Sequence, residues 1–240
     1  MAGLPRLQSV AAALGGTGYS LSVQDMDIRD EQADDYPDAV AEGPTRRDRY
    51  FLFGEMLVFA IISLVASFVL SYDAVRLAAD PDVVLACSIN SIFDCAEVGR
   101  SWQAQVFGFP NAFLGLISEP VVMTIAVASL AGVRFPRWFM MTANAVYLLG
   151  VIFAYWLLYQ STFEIGALCP WCITVTIATT FVFYSMTYWN ILERNIPWSA
   201  ATQAKALRFA RGGWLTIALI AWLAIVVVME VAVWVLPPLG

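Results

Sequence analysis

Cys169-Pro170-Trp171-Cys172 opens an apolar run long enough to cross a membrane, and only Cys87 and Cys95 are present to react with it. The chain contains no histidine. Four cysteines in two closely spaced pairs suggest dithiol/disulfide electron transfer. A thiolate attacks a disulfide sulfur, so exchange needs an activated thiol, access for a partner and a second thiol that resolves the mixed disulfide. CxxC supplies both thiols within one helical turn. Pro170, tolerated in a first helical position, sets Cys169 at or near a helix start, where unpaired N–H groups favour negative charge. Trp171 adds a flat apolar wall beside the sulfurs. Two other readings use the same residues. Four cysteines formally complete a tetrahedral zinc site, although the C-x7-C spacing of Cys87 and Cys95 is unlike a zinc knuckle. Two structural disulfides also fit, and four cysteines permit three pairings.

The elements that must position these sulfurs are membrane helices. Of the 240 residues, 60% are hydrophobic, and the mean hydropathy is +0.70, far above that of a soluble domain. Five stretches are long enough to span a hydrocarbon layer of roughly 30 Å: 50–72, 110–131, 137–159, 165–190 and 213–236. In lipid, runs this long and continuously apolar are helices, because the backbone must satisfy its own polar groups. The expected fold is an all-α integral membrane protein.

Lysine and arginine near the helix ends set the orientation. With a cytoplasmic N-terminus, Arg46, Arg47, Arg49, Arg134, Arg137, Arg194, Lys205, Arg208 and Arg211 lie inside, and Arg76 and Arg100 lie outside. Nine against two is a strong positive-inside asymmetry. It puts the long 73–109 loop, the 160–164 connection and the C-terminal Pro237-Pro238-Leu239-Gly240 on the outer face, and all four cysteines with them. Disulfides persist in such an oxidising compartment. A plasma membrane of bacterial type is the simplest setting.

The formal charge of −6 comes largely from an acidic stretch between Asp25 and Glu42. Residues 1–45 should form a disordered cytoplasmic tail without a secretory signal, ending at a basic collar suited to anionic headgroups. In the outer loop, the apolar positions across 92–107 suggest a short amphipathic helix on the membrane face. Pro110 should sit in the first turn of the second span, and Glu119-Pro120 should kink its middle. Glu119 falls near mid-bilayer, where a charge is costly; it is either a plain hydrogen-bonded or protonated group or part of a proton route. Glu230, about two turns from the outer end of the fifth span, should snorkel or face the bundle. Residues 191–212 read as a cytoplasmic connector, and 213–240 as the fifth span with a short outer C-terminus.

Together, the Cys87/Cys95 pair, Ser101 six residues on, the segment Gly108-Phe109-Pro110-Asn111-Ala112-Phe113-Leu114-Gly115, and the late CxxC followed by Ile173-Thr174 resemble the vitamin K epoxide reductase (VKOR) family. The likeness covers about 50–190, and the fifth span is similar to one added in bacterial members. DsbB-type oxidases also use two cysteine pairs, but their CxxC comes first, whereas here it comes last. The resemblance implies a four-helix catalytic bundle over 46–190 around a quinone, of menaquinone or ubiquinone type, with the outer loop and its half-helix closing the top. It implies that Cys87 meets a DsbA-like thioredoxin-fold partner, that Cys95 attacks Cys169, and that Cys172 faces the quinone with no metal involved. Ser101 resembles the family's loop-ordering hydroxyl, and Asn111 a position that hydrogen-bonds a quinone oxygen. Both residues also read as ordinary helix caps. Thr176 stands where some members carry a tyrosine, which bears on headgroup contacts and on epoxide reduction. The chain ends soon after its fifth span, so the partner is expected to be a separate protein; no nucleic-acid role is expected. The reading from another class is a non-enzymatic membrane scaffold or transporter subunit with structural disulfides.

Overall fold

The computed structural model describes residues 43–235. The acidic tail over 1–42 and the last residues, 236–240, lie outside the described residues. The helices are α1 (Arg46–Ala79), α2 (Cys95–Arg100), α3 (Ala112–Leu130), α4 (Arg137–Tyr159), α5 (Pro170–Leu192), α6 (Ala200–Arg211) and α7 (Trp214–Val235). A 3-10 turn at Trp102–Gln105 follows α2, and a π turn at Gln160–Ile165 extends α4.

α1 begins at a capping box. The Thr45 hydroxyl accepts from the Asp48 N–H at 3.1 Å, and the Asp48 carboxylate accepts from the Thr45 N–H at 2.9 Å. Its buried residues, Leu52, Phe53, Met56, Ala60, Ser63 and Ser67 among them, recur every three or four positions and form one stripe. That stripe faces α3 and α5, and α4 packs on the far flank of α5. The helix runs past the expected edge at 72, because Ala74 to Ala79 are compatible with helix. It ends where Pro81 disfavours helical backbone at Asp80. The outer loop therefore starts at 80 instead of 73.

The polarity of the structure is that of a membrane protein. Exposed positions on the outer faces are Phe68, Val121, Leu149, Ile152 and Val228, whereas Ser63, Ser67, Glu119 and Thr179 are buried. Among the described residues, four helices are long and apolar enough to cross a bilayer: α1, α3, α4 with its π turn, and α7. α5, the expected fourth span, has the length, at 23 residues, but carries more hydroxyl groups. It lies between α1 and α4 and buries much of its own surface, and Thr176, Thr179 and Thr180 donate to carbonyls one turn back. A helix lined by protein on most sides is free to carry groups that a lipid-facing helix excludes.

Two further expectations are refined. The amphipathic helix across 92–107 is broken: α2 stops at Arg100, and Ser101 has extended backbone, with its hydroxyl donating to the Val98 carbonyl at 2.7 Å. α3 starts at Ala112, so Pro110 precedes the helix, and the helix continues through Pro120. The connector between α5 and α7 contains the helix α6.

Candidate active site

The C-terminal end of α1 and the N-terminal ends of α2 and α5 bring the cysteines together. Asp94 caps α2: its carboxylate accepts from the N–H groups of Ala96 at 3.0 Å and Glu97 at 3.3 Å, and from the Ser88 hydroxyl at 2.5 Å. The Ser88 hydroxyl, with help from those N–H groups, holds the Asp94 carboxyl below the usual carboxylate range, although partial burial works the other way. This cap fixes the helix whose first residue is Cys95.

A second clip reaches across the sequence. Phe93 and Leu168 form a parallel bridge, with the Leu168 N–H donating to the Ile92 carbonyl at 2.7 Å and the Asp94 N–H to the Leu168 carbonyl at 3.0 Å. Each strand of the bridge leads into a site cysteine, Cys95 on one side and Cys169 on the other. Gly166 in the left-handed region, at φ +74°, ends the π turn and redirects the chain into this bridge.

Cys87 and Cys95 are joined in a disulfide. Cys169 and Cys172 are free thiols. The Cys95 sulfur is 3.3 Å from the Cys169 sulfur, within the roughly 3–3.5 Å separation of a reacting pair. Cys95 is thus both bonded to Cys87 and in contact with Cys169, so thiol/disulfide exchange between the pairs requires no large movement. Cys87, Cys95 and Cys169 are all buried, at 8%, 4% and 1% exposure, in one cluster. Cys169 is the residue before the first turn of α5, with Pro170 opening the helix as expected. The Asp73 carboxyl lies 3.9 Å from the Cys87 sulfur. With Cys87 and Cys95 bonded to each other, four thiolates are not available to a zinc ion, and among the described residues no group of three or more His, Cys, Asp or Glu is placed to hold a metal.

Below the sulfurs is a cavity of about 450 Å³ between α1, α3, α4 and α5. Cys95, Cys169 and Cys172 line its cysteine end, and Ser101 and Asn111 lie on its wall. The Asn111 amide donates to the Gln103 carbonyl at 2.6 Å and accepts from the Val106 N–H at 3.2 Å, so it ties the 3-10 turn to the start of α3 and makes no cap bond to that helix. One amide hydrogen and one carbonyl lone pair remain. Ser101 ends α2 through its bond to Val98, which fits a loop-ordering hydroxyl. Thr176 donates to the carbonyl of Cys172 at 2.9 Å, so its hydroxyl serves the helix.

Glu119 also reaches the cavity, about 12 Å along α3 from Asn111. It is 3% exposed, and its Oε1 accepts from the Ser63 hydroxyl at 2.9 Å and the Tyr147 hydroxyl at 3.0 Å. Glu119 is thus hydrogen-bonded, whatever its part in the chemistry; its partners come from α1 and α4, and helical periodicity on α3 carried no sign of them. Asp94 was detectable, since Asp94-Cys95-Ala96-Glu97 has the acceptor-x-x-Glu spacing of a helix start. The Phe93–Leu168 bridge, formed by residues 75 positions apart, had no local signal.

The model of the vitamin K epoxide reductase family matches residues 55–187, more than half of the chain. The chain belongs to that family. Among curated proteins, no sequence matches it. Membership of the vitamin K epoxide reductase family, together with the apolar helices, makes the protein a membrane oxidoreductase of a family that is quinone-linked in general. The matched region begins within α1 and ends within α5, so it takes in both cysteine pairs and all four helices around the cavity.

Proposed function

We propose that the protein oxidises the thiols of a DsbA-like thioredoxin-fold partner and passes the electrons to a membrane quinone, thereby supporting disulfide formation outside the membrane. The observation that carries this reading is the position of Cys95, bonded to Cys87 and 3.3 Å from Cys169 at the head of an apolar cavity. Cys87 receives the partner's thiolate. Cys95, released as a thiolate, attacks the disulfide between Cys169 and Cys172, and Cys172 becomes the thiol that faces the cavity. A disulfide between Cys87 and Cys95 beside free thiols at Cys169 and Cys172 matches the state after the electron pair has moved inward.

The residues present fit a quinone. The wall is mostly apolar, as a ring and isoprenoid tail require, and its few polar groups include Asn111, Tyr147 and Glu119, whose Oε2 is buried without a partner. A bound quinone supplies a two-electron acceptor. Asn111 has a remaining amide hydrogen for a quinone oxygen, and Ser101 keeps the loop over the cavity in order. Where some family members have a tyrosine, Thr176 is spent on its own helix, which argues against epoxide reduction here.

In this reading α5 also crosses the bilayer, surrounded by its neighbours, and α7 adds a fifth crossing. Thr162 bonds to Glu230 at 3.0 Å and so fastens α7 to the π turn beside the site. α2 and the 3-10 turn form the cap, where Trp102 and Phe107 rest against Trp156 and Phe153 of α4. The asymmetry of lysines and arginines supports an N-terminus in the cytoplasm and cysteines at the outer face of a plasma membrane. The 46–190 region is the catalytic bundle, 191–212 the inner connector, and 213–240 the fifth crossing.

The test is thiol consumption by purified protein given dithiothreitol and quinone. An oxidase consumes thiol continuously with quinone and stops without it. A scaffold or transporter subunit consumes at most its own disulfides once.

A further inference from the structure

Glu119 is a buried ionisable group that thiol exchange does not use. It reaches the cavity from α3, its Oε1 accepts two hydrogen bonds from Ser63 and Tyr147, and its Oε2 is buried with no partner among the described residues. This asymmetry is that of a neutral carboxylic acid: the oxygen that accepts two donors is the carbonyl, and the unpartnered oxygen carries the hydrogen. A carboxylate there would leave a charged oxygen bare inside an apolar bundle, which is far costlier than an acid that finds a ligand to donate to.

We propose that Glu119 is the proton donor to the quinone, with Ser63 and Tyr147 as positioning residues that hold its carboxyl and stabilise the carboxylate left behind. This rests on the quinone reading above and assigns the second end of the same site. Oxidation of Cys169 and Cys172 breaks two S–H bonds, forms one S–S bond and releases two electrons and two protons. Both electrons and two protons end in the two O–H bonds of the hydroquinone. Glu119 Oε2 supplies the proton to the quinone oxygen at the inner end, and one thiol proton goes to the oxygen nearer the cysteines. The other thiol proton restores Glu119. Ser67 and Ser71, successive turns along the α1 stripe from Ser63 toward the cysteine end, offer hydroxyls for that return; Ser67 lines the cavity, and the Ser71 hydroxyl is buried without a partner.

The experiment compares wild type with Glu119→Gln, which keeps the shape and a hydrogen-bond donor but has no acidic proton. Three quantities are read: binding of oxidised ubiquinone by tryptophan fluorescence without thiol present, the single-turnover rate of hydroquinone formation from prereduced protein, and the infrared carboxylic-acid C=O band of protein without quinone. The expected result is a band that the substitution removes, binding within about twofold of wild type, and reduction slowed on the order of 100-fold. Reduction at the wild-type rate, or the absence of a band attributable to Glu119, overturns the assignment. Wild-type protein that neither binds nor reduces quinone overturns the quinone reading itself, and the donor role with it. Should Glu119→Gln fail to fold, Tyr147→Phe replaces it: the assignment requires binding to persist and reduction to slow by about tenfold, and an unchanged rate overturns it.

Discussion

At the residue scale, the order of the sulfurs decides the chemistry. Cys95 resolves whatever is attached to Cys87, because its sulfur is already the bonded neighbour. A Cys95→Ala variant leaves Cys87 as a thiol without its neighbouring cysteine, so its thiolate should open the disulfide of an oxidised thioredoxin-fold partner and accumulate as a mixed disulfide, visible as a band on non-reducing gels that dithiothreitol abolishes. If no adduct forms with this variant and one forms with Cys87→Ala, the entry thiol has been misassigned. Asn111 is a milder case. Its amide joins the Gln103 carbonyl to the Val106 N–H, so Asn111→Ala should loosen the 3-10 turn and raise the KM for quinone more than it lowers kcat. A fall in kcat at constant KM would contradict that reading.

At the element scale, two features hold the site in shape. α1 and α3 approach so closely at Gly115 that an added Cβ would clash with the Ser67 side chain, its Cβ included. Gly115→Ala should cost about 1–3 kcal/mol through overpacking and lower the thermal unfolding midpoint in detergent; an unchanged midpoint would mean that the helices separate without cost. The second feature is the Asp94 cap on α2. Its folded-state pKa is depressed, so its contribution is complete above the ordinary carboxylate value of about 3.9 and is lost as pH falls through the lower folded value. Asp94→Ala should remove about 1 kcal/mol of α2 stability at neutral pH and speed proteolysis of the outer loop there. In wild type the same loosening should appear only in acid, below about pH 4. Equal proteolysis of the two proteins at pH 7 would sink this account.

The helices were more legible than their contacts. The third span was expected at 137–159 and is found at Arg137–Tyr159, because Pro136 precedes it and a belt of Tyr155, Trp156 and Tyr159 closes it. α1 overran its expected end since polarity at Tyr72-Asp73 does not by itself break a helix; the stop belongs to the proline after Asp80. The break at Ser101 was not readable from apolar spacing, which is similar for one helix and for a helix followed by a 3-10 turn. The cysteines and Glu119 were visible as residue types out of place in an apolar chain. Ser63, Tyr147, Asp73 and the Phe93–Leu168 bridge were not, because they come from distant segments and look ordinary where they stand.

Taken as a whole, the molecule joins one surface to one cavity. Apolar residues cover the outside of the bundle, as lipid demands, several polar ones such as Ser63, Ser67 and Glu119 are buried within it, and the four cysteines gather at one end of it. The charge asymmetry predicts that this end faces out. A membrane-impermeant maleimide added to intact cells should label a Val84→Cys variant, whose site is exposed in the loop that holds Cys87, whereas inverted vesicles should protect it; the opposite pattern would reverse the topology. The relay to quinone is tested most directly by giving one equivalent of quinone to fully reduced purified protein and following hydroquinone formation in a single turnover. Wild type and Cys87→Ala should both form it, because each retains the thiols of Cys169 and Cys172, and Cys172→Ala should form none. Hydroquinone formed by Cys172→Ala at the wild-type rate would contradict the account.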